Sequence, residues 1–321
     1  MSVTMTTNTE YLNRTSLWSR EVTDLLLDDL FAMRFVRTLT DFPDGTTLNI
    51  PSIGEAEVFN YAEGQAIKYN ALDTGNFQFD IDQYIGSANA VTEQFKQDSF
   101  YANEMISLFS PRQHRAIMEH YETRVWNRAN AGQTVNSLNT INEADHRWMA
   151  SGSSNVLNFD DFFKARYALK KANVPLRNLV AIVDPSTAYK LETQANMTNL
   201  MTPQGNWSES LLKGLASGFQ YRFTIGGFDV FESNYLPRGS TITDTSIDSV
   251  STPASPVCNF FFSAEPGQTL PLVGAWRQMP TVYSEFNKDL QQTEYLTVCR
   301  YGVKLMRPDN LVTVISNYDV V

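Results

Sequence analysis

The sequence predicts an α+β fold in which an N-terminal arm and a long β-hairpin precede one long helix and a compact α/β region. Three observations predict it. Residues 45–95 have strand composition without helical periodicity, residues 110–132 carry the caps and apolar spacing of a long helix, and helices and strands alternate from residue 158 onward. A chain of 321 residues can also build a sizeable core and more than one domain.

Composition excludes several classes of function. The formal net charge is -10, which disfavours tight binding to nucleic-acid phosphates, because that affinity comes from Lys and Arg. No apolar run approaches the length of a membrane span, and the polar, Thr-rich start lacks the pattern of a signal peptide. Cys258 and Cys299 are the only cysteines, and we expect both to be buried, reduced thiols.

The arm is predicted to contain an amphipathic helix over residues 17–37. Its apolar side chains recur at helical spacing: Leu17, Trp18, Val22, Leu25, Leu26, Leu30, Phe31 and Phe35. The segment precedes any core that it could join, so we expect it to pack on another subunit, with Trp18 and Leu26 as candidate contacts. An ordinary core helix is the alternative, which the sequence leaves open.

Residues 45–95 are predicted to form an extended β-hairpin loop. Turn residues divide it into strand-like runs at 46–50, 57–61 and 77–91. Phe77, Phe79 and Ile81 alternate with polar residues, the period of a half-buried strand. A hairpin pair cannot bury its own apolar face. These three side chains therefore need a partner surface, either elsewhere in the chain or on another copy, and we take them as candidate intersubunit contacts.

The long helix is predicted to begin after Ser110 and to end at Gly132. Ser110, Pro111 and Gln113 together form a capping box with proline at the first helical position. A shorter helix over 98–109 is expected before it.

Arg124 and Arg128 share one face of the long helix, four residues apart and without an acidic partner at helical spacing. A solvated face explains this pattern simply. An acidic patch on a neighbouring subunit is the alternative, so both arginines are candidate intersubunit residues.

A polar loop over 133–157 is predicted to separate the long helix from the α/β region. Asn158 with Asp161 opens the next helix, which ends at Lys171. Two more helices are expected, one after Asp184 and one ending at Gly218.

Strands are predicted over 179–183, 221–232, 257–262 and 278–315. The second of these is a hairpin that turns at Gly226-Gly227. The last is expected to break at Gly302 and at Pro308.

The sequence contains no recognisable catalytic site. It has no G-x-G-x-x-G, no P-loop and no G-x-S-x-G. His114 and His120 are six residues apart, which is the wrong spacing for two zinc ligands on one helix, and His146 stands alone. The adjacent acidic pairs, Asp28-Asp29 and Asp160-Asp161, do not converge. We therefore predict a binding or structural protein that is not an enzyme and has no cofactor and no metal.

Three stretches carry a resemblance to a known family. They are VPLRNLVAIVDPSTAYKL (174–191), IGGFDV followed by SNYLP (225–237), and YGVKLMRP followed by LV (301–312). With the order arm, long hairpin, long helix, α/β region and returning strands, the chain resembles the major capsid protein of tailed bacteriophages, with the Johnson or Hong Kong ninety-seven fold.

The resemblance implies a division of the chain. It comprises an N-terminal arm (1–44), an extended hairpin loop (45–95), a peripheral domain with a spine helix (96–150), a central axial domain (151–275) and return strands of the peripheral domain (276–321). It also implies self-assembly in the host cytoplasm, through hexamers and pentamers, into the icosahedral shell of the virion, which encloses double-stranded DNA without tight sequence-specific binding.

Other partners follow from the same resemblance. Only a short polar stretch precedes the arm, so a separate scaffolding protein is expected in place of a fused assembly domain. A portal is a further expected partner, and a decoration protein is a candidate. Some relatives crosslink through a loop lysine, but Lys68 does not match that motif, so no crosslink is expected.

Two alternatives stay open. A nanocompartment shell of the encapsulin type shares the fold and encloses enzymes instead of DNA. A carbohydrate-binding protein or hydrolase is the alternative from another class, since Trp and Tyr are plentiful.

Overall fold

The computed structural model describes residues 30–40, 45, 47–53, 58, 60, 62–64, 66, 74–99, 102–193, 221–242, 244, 246–247, 250–266 and 269–318. The helices are α1 (Glu93–Asp98), α2 (Ala102–Ala131), α3 (Phe159–Lys171) and α4 (Pro185–Thr193). The strands are β1 (Val36–Thr38), β2 (Thr47–Ile53), β3 (Thr74–Asp80), β4 (Gln83–Thr92), β5 (Arg147–Met149), β6 (Leu179–Val183), β7 (Tyr221–Ile225), β8 (Phe228–Glu232), β9 (Ser246–Ile247), β10 (Val250–Ser251), β11 (Pro256–Ser263), β12 (Leu272–Asn287), β13 (Gln292–Leu305) and β14 (Val312–Asn317).

The α/β region is built on a six-stranded sheet in the order β5-β14-β11-β6-β8-β7. Its central strands, β6 and β11, are buried along their whole length, which the unbroken apolar run of β6 predicts. One face packs against α3 and α4 through Phe162, Leu169 and Leu191, and the other packs against α2 through Trp126.

Two strands of this sheet come from segments that the sequence predicts to lie outside it. The predicted loop over 133–157 contains β5, which pairs in parallel with β14. β14 itself pairs with β11, so the expectation that 276–321 returns wholly to the peripheral domain is corrected for this last strand. Both pairings join residues far apart in the chain, which a local pattern does not reveal.

A second sheet contains the long strands, in the order β1-β12-β13-β4. Helix α2 lies across one face, where Tyr121 stacks on Trp276 with 4.8 Å between ring centroids and contacts Tyr301 edge-on at 5.1 Å. The predicted break at Gly302 is wrong, because Gly302 lies inside β13. A Cβ there would overlap the carbonyl oxygen of Asp80, so glycine allows the end of β3 to approach.

Helix α2 is longer than predicted. It begins at Ala102 and runs for 30 residues, about 45 Å at ~1.5 Å per residue, with Pro111 inside it. The predicted cap at Ser110 and the separate helix over 98–109 are therefore wrong. Gln113 does not complete a capping box, because its side chain donates to the Tyr295 carbonyl (3.0 Å) and accepts from the Thr297 hydroxyl (2.7 Å). These two hydrogen bonds hold this part of α2 against β13, and the helix runs through Pro111 without a break.

The described end of the arm belongs to the core of its own chain. A 3-10 helix (Ala32–Phe35) and strand β1 replace the predicted helical turn there. Phe31 is buried against Trp126 and Phe231. The buried carboxylate of Glu122 accepts hydrogen bonds from the Ala32 amide (2.8 Å) and the Trp126 indole (3.1 Å). For these residues the core alternative is the correct one.

Local predictions in the α/β region are confirmed where the structure describes them. Asn158 and Asp161 form the capping box of α3. Gly226 and Gly227 both have positive φ in the two-residue turn between β7 and β8, a conformation that favours glycine. Asp184 accepts from the Ser186 amide at the start of α4. The helix predicted before Gly218 lies outside the described residues.

The extended hairpin is shorter than the predicted 45–95 segment. β2 pairs antiparallel with β3, and Thr47 faces Asp80 at the base. β4 leaves the hairpin and pairs instead with β13 in the four-stranded sheet. Most of the 57–61 run lies outside the described residues.

Candidate assembly surface

The base of the hairpin is buried against its own chain. Phe79 and Ile81 pack on Val273 and Ala275 of β12, and Phe79 is fully buried. Phe77 is half-buried, and the Nζ atom of Lys304 lies 5.2 Å from the centroid of the Phe77 ring. Of the two partner surfaces that the sequence leaves open, the structure provides the one in the same chain, on β12, for Phe79 and Ile81, and Phe77 packs beside them.

Arg124 and Arg128 also have a partner within the chain. Both guanidinium groups pair with the Asp82 carboxylate, and the Arg124 Nη2 atom lies 2.6 Å from Oδ2. Asp82 sits between β3 and β4, so it closes the base of the hairpin onto α2. The hypothesis of an acidic patch on a neighbour rests on the lack of an acidic partner along the helix. The same chain supplies that partner, since Asp82 lies 42 residues before Arg124.

The electrostatics of this cluster follow from its geometry. Partial burial alone acts to raise the pKa of Asp82, but hydrogen bonds from Arg124 and Arg128 outweigh it, and the pKa is lowered from 3.8. Asp82 is therefore charged at neutral pH.

The other two residues predicted to contact a neighbour, Trp18 and Leu26, lie outside the described residues.

A surface that was not predicted lies at the far end of the long strands. Past Trp276, β12 and β13 continue as a ribbon, with β4 paired along the other edge of β13. Its apolar side chains are exposed on both faces: Met279, Val282, Tyr283, Phe286 and Leu296, with Leu290 in the connecting turn. We call this the distal ribbon (residues 278–298). Its sequence signal is a loss of period-two alternation, since Val282 and Tyr283 are adjacent and point to opposite faces.

The distal ribbon also presents an open strand edge. β1 pairs only with residues 272–274 of β12, so within the described residues the remainder of β12 has β13 on one side and no strand on the other. Pro280 and two register shifts interrupt the edge near residue 278. The seven residues that follow, 281–287, contain no proline or lysine, the residues that commonly protect such edges.

A shallow depression of about 390 Å³ lies where the hairpin base meets the ribbon. It is lined by Ile81, Asp82, Gln83, Tyr84, Gln278 and Arg300.

The histidines and cysteines do not form a reactive cluster. Among the described residues, no three His, Cys, Asp or Glu side chains converge as a metal site. His120 contacts the Tyr301 hydroxyl (2.8 Å), and His146 is buried in another part of the chain. Burial raises the pKa of Cys258 to about 12 and of Cys299 to about 11, so both remain protonated thiols.

None of the helices that the structure describes combines the length and the apolar composition of a membrane span.

The sequence matches the model of a known protein family. The family model described as phage capsid protein matches residues 76–314, about three quarters of the chain. No curated protein matches the sequence.

Solved structures match over nearly the whole chain. A chain of Mycobacterium phage Che8 is 17% identical, with a TM-score of 0.66 over 95% of this chain and 98% of that one. The capsid of cyanophage P-SCSP1u is 13% identical, with a TM-score of 0.71 over 97% and 94%. The mature capsid of bacteriophage PhiM1 is 11% identical, with a TM-score of 0.69 over 98% and 95%. These likenesses show the fold, and with the family match they establish that the chain belongs to the phage capsid protein family and is a major capsid shell protein.

Proposed function

We propose that this chain assembles, through hexamers and pentamers, into a closed icosahedral shell around the double-stranded DNA genome of a tailed phage, and that it acts by self-association without catalysis. The observation that carries the proposal is the distal ribbon, which exposes apolar side chains on both faces and an open edge. A single chain leaves this surface in water.

The energetics favour coverage of the ribbon by other copies. Burying one large apolar side chain contributes about 1.5 to 3 kcal/mol. Val282, Tyr283 and Phe286 lie within five consecutive residues and are about half exposed, so neighbours that cover the two faces of this segment gain part of that contribution at each position. An unprotected strand edge is itself a template for pairing with another chain. Repeated in every subunit, contacts of this kind support a closed shell when their symmetry closes.

The charge of the chain fits an enclosed DNA genome. With a formal net charge of -10, the protein does not supply the cation density that holds DNA phosphates tightly. The packaged duplex then moves along the wall during filling. We propose assembly in the host cytoplasm with a separate scaffolding protein and a portal, and we include a decoration protein as a candidate outer partner.

The experiment is co-expression of the full chain with its scaffolding protein, followed by sedimentation and negative-stain microscopy. We expect closed particles tens of nanometres across. A protein that stays monomeric across scaffold ratios and ionic strengths would contradict the proposal.

A further inference from the structure

Helix α3 carries a stripe of exposed side chains that none of the described elements covers. Phe163, Arg166, Tyr167 and Lys170 are spaced i, i+3, i+4 and i+7, so they lie on one side of the helix. Phe163 is 56% exposed and Tyr167 is 54% exposed. We call these four residues the α3 stripe. Its opposite side packs Phe162, Ala165 and Leu169 into the core, so the stripe is not required for folding α3 onto the sheet.

The stripe combines aromatic surface with positive charge. Arg166 Nη1 donates to the Gly226 carbonyl (3.3 Å), and the structure gives neither Arg166 nor Lys170 a carboxylate partner among the described residues. The neighbouring cations differ, since Lys164 pairs with Asp145 (3.9 Å) and Lys171 with Glu143 (3.5 Å). Asp160 lies one turn before Phe163, so the positive charge is concentrated toward the C-terminal end of the helix.

The composition of the stripe favours a protein partner over DNA. Exposed Phe and Tyr side chains gain little from the phosphate backbone of a duplex, which is bound through Lys and Arg. Aromatic residues beside arginine are instead typical of energetic centres in protein interfaces. The partner should therefore offer apolar side chains together with carboxylates.

One segment of this same chain has that chemistry. Residues 17–29 carry one arginine against four carboxylates, a net charge of -3. The carboxylates are Glu21, Asp24, Asp28 and Asp29, and the apolar residues among them include Trp18, Leu25 and Leu26. The segment lies outside the described residues and joins the structure at Leu30.

The position of Leu30 favours a second copy as the donor of this segment. The next residue, Phe31, packs with Trp126 on the α2 side of the six-stranded sheet. The α3 stripe lies beyond the opposite face, on the outer side of α3. An arm from the same chain would have to pass around the sheet edge and over the helix, whereas an adjacent subunit in a shell can approach the outer side directly.

We propose that the α3 stripe is the docking site for residues 17–29 of a neighbouring copy. The apolar side chains of the segment cover Phe163 and Tyr167, and its carboxylates face Arg166 and Lys170. The inference rests on the proposed shell function, because it needs an adjacent subunit.

The test uses full-length chains and engineered thiols. Cys258 and Cys299 are buried, so new surface cysteines can be oxidised selectively. One chain carries Leu26→Cys and a second, differently tagged chain carries Tyr167→Cys. The matched control for the second chain is Tyr189→Cys, since Tyr189 is 49% exposed on α4 in the same region. In mixed particles, docking raises the local thiol concentration, and we expect about tenfold more mixed disulfide with position 167 than with position 189.

A charge exchange tests specificity. Arg166→Glu with Lys170→Glu should lower the 26–167 yield several-fold, and adding Asp28→Lys with Asp29→Lys should restore it. Equal yields of mixed disulfide at positions 167 and 189 would overturn the inference. Particles that form without the 26–167 link contradict this docking site alone, whereas failure to form particles contradicts the shell proposal as well.

Discussion

At the scale of single residues, Asp82 connects the hairpin to the helix that supports it. Its carboxylate pairs with Arg124 and Arg128, and all three side chains are about one third exposed. A solvent-screened pair contributes up to about 1 kcal/mol, so the cluster is a modest but localised restraint on the hairpin base.

We predict that Asp82→Asn lowers the free energy of unfolding by about 1 kcal/mol at neutral pH, because both arginines lose their ion pair. The control is Glu285→Gln on the distal ribbon, since Glu285 has no ion pair with any described side chain. Urea unfolding of the unassembled protein measures both. An equal loss in the two variants would show that Asp82 has no special role.

The same cluster predicts a pH dependence. The pKa of Asp82 is lowered in the folded state from 3.8, so its stabilisation is fully present above pH 3.8 and is lost as the pH falls through the folded-state value below it. The difference between wild type and Asp82→Asn should therefore stay constant from neutral pH down to about pH 5 and then shrink in more acidic solution. A difference that grows on acidification would contradict the assignment.

Gly302 illustrates a residue whose role the sequence suggests incorrectly. Glycine in a strand-like run favours a break, yet here it provides space for the Asp80 carbonyl. We expect Gly302→Ala to cost about 1 to 3 kcal/mol, because backbone must shift to admit the methyl group. Gly86→Ala is the matched strand control, since its Cβ would lie 3.1 Å from the Val298 side chain and 3.2 Å from the Thr297 carbonyl oxygen, against 2.4 Å from the Asp80 carbonyl oxygen at Gly302. A smaller loss at Gly302 than at Gly86 in urea unfolding would refute this explanation.

At the scale of elements, a buried polar network joins the C-terminal end of α2 to the six-stranded sheet, beside the apolar contact of Trp126. Arg147 of β5 binds the Asp244 carboxylate and donates to Asn130 (2.8 Å) and Gln133 (3.2 Å) near the end of α2. Arg147 and Asp244 are both buried. This network joins three separate segments of the chain at one point.

We predict that Arg147→Met destabilises the protein by about 3 to 5 kcal/mol, because it leaves the Asp244 carboxylate buried without its counter-charge. Arg147→Met combined with Asp244→Leu removes both charges and should recover much of the loss. Thermal or urea unfolding distinguishes the two. If the double variant is less stable than the single one, the cost does not come from an unpaired carboxylate.

The distal ribbon makes the corresponding prediction for assembly. Val282→Asp should leave unfolding of the free subunit within about 0.5 kcal/mol of wild type, because the side chain is already 43% exposed, while particle yield falls sharply. Val250→Asp is the matched control, since Val250 is 41% exposed on the short β9–β10 pair. Sedimentation of co-expressed protein measures the yield. Normal yield from Val282→Asp would remove the ribbon from the interface.

At the scale of the whole molecule, the sequence predicted what local chemistry determines. The cap at Asn158, the turn at Gly226-Gly227 and the buried run of β6 each depend on residues within a few positions, and each is confirmed. The start of α2 was not predicted correctly. Proline favours the first turn of a helix, but α2 continues through Pro111, and Gln113 beside it is hydrogen-bonded to the distant strand β13.

The candidate surface was predicted less well, for a physical reason. Asp82 meets Arg124 and Arg128 only after the chain folds back over more than forty residues, so no helical spacing reveals the pair. Phe79 and Ile81 have the right pattern for burial, but the pattern does not specify whether the covering surface belongs to the same chain. The distal ribbon is exposed because β12 and β13 continue past residue 274, where the pairing with β1 ends, and the sequence does not show where that pairing ends.

The central claim is that other copies of this chain cover the surfaces that one copy leaves exposed. Cryo-electron microscopy of particles from scaffold co-expression tests it most directly, at a resolution that shows side chains. The predicted result is a closed shell of five- and six-membered rings in which a neighbouring subunit covers Val282, Tyr283 and Phe286. Absence of particles, or a shell in which these side chains remain in solvent, would contradict the account.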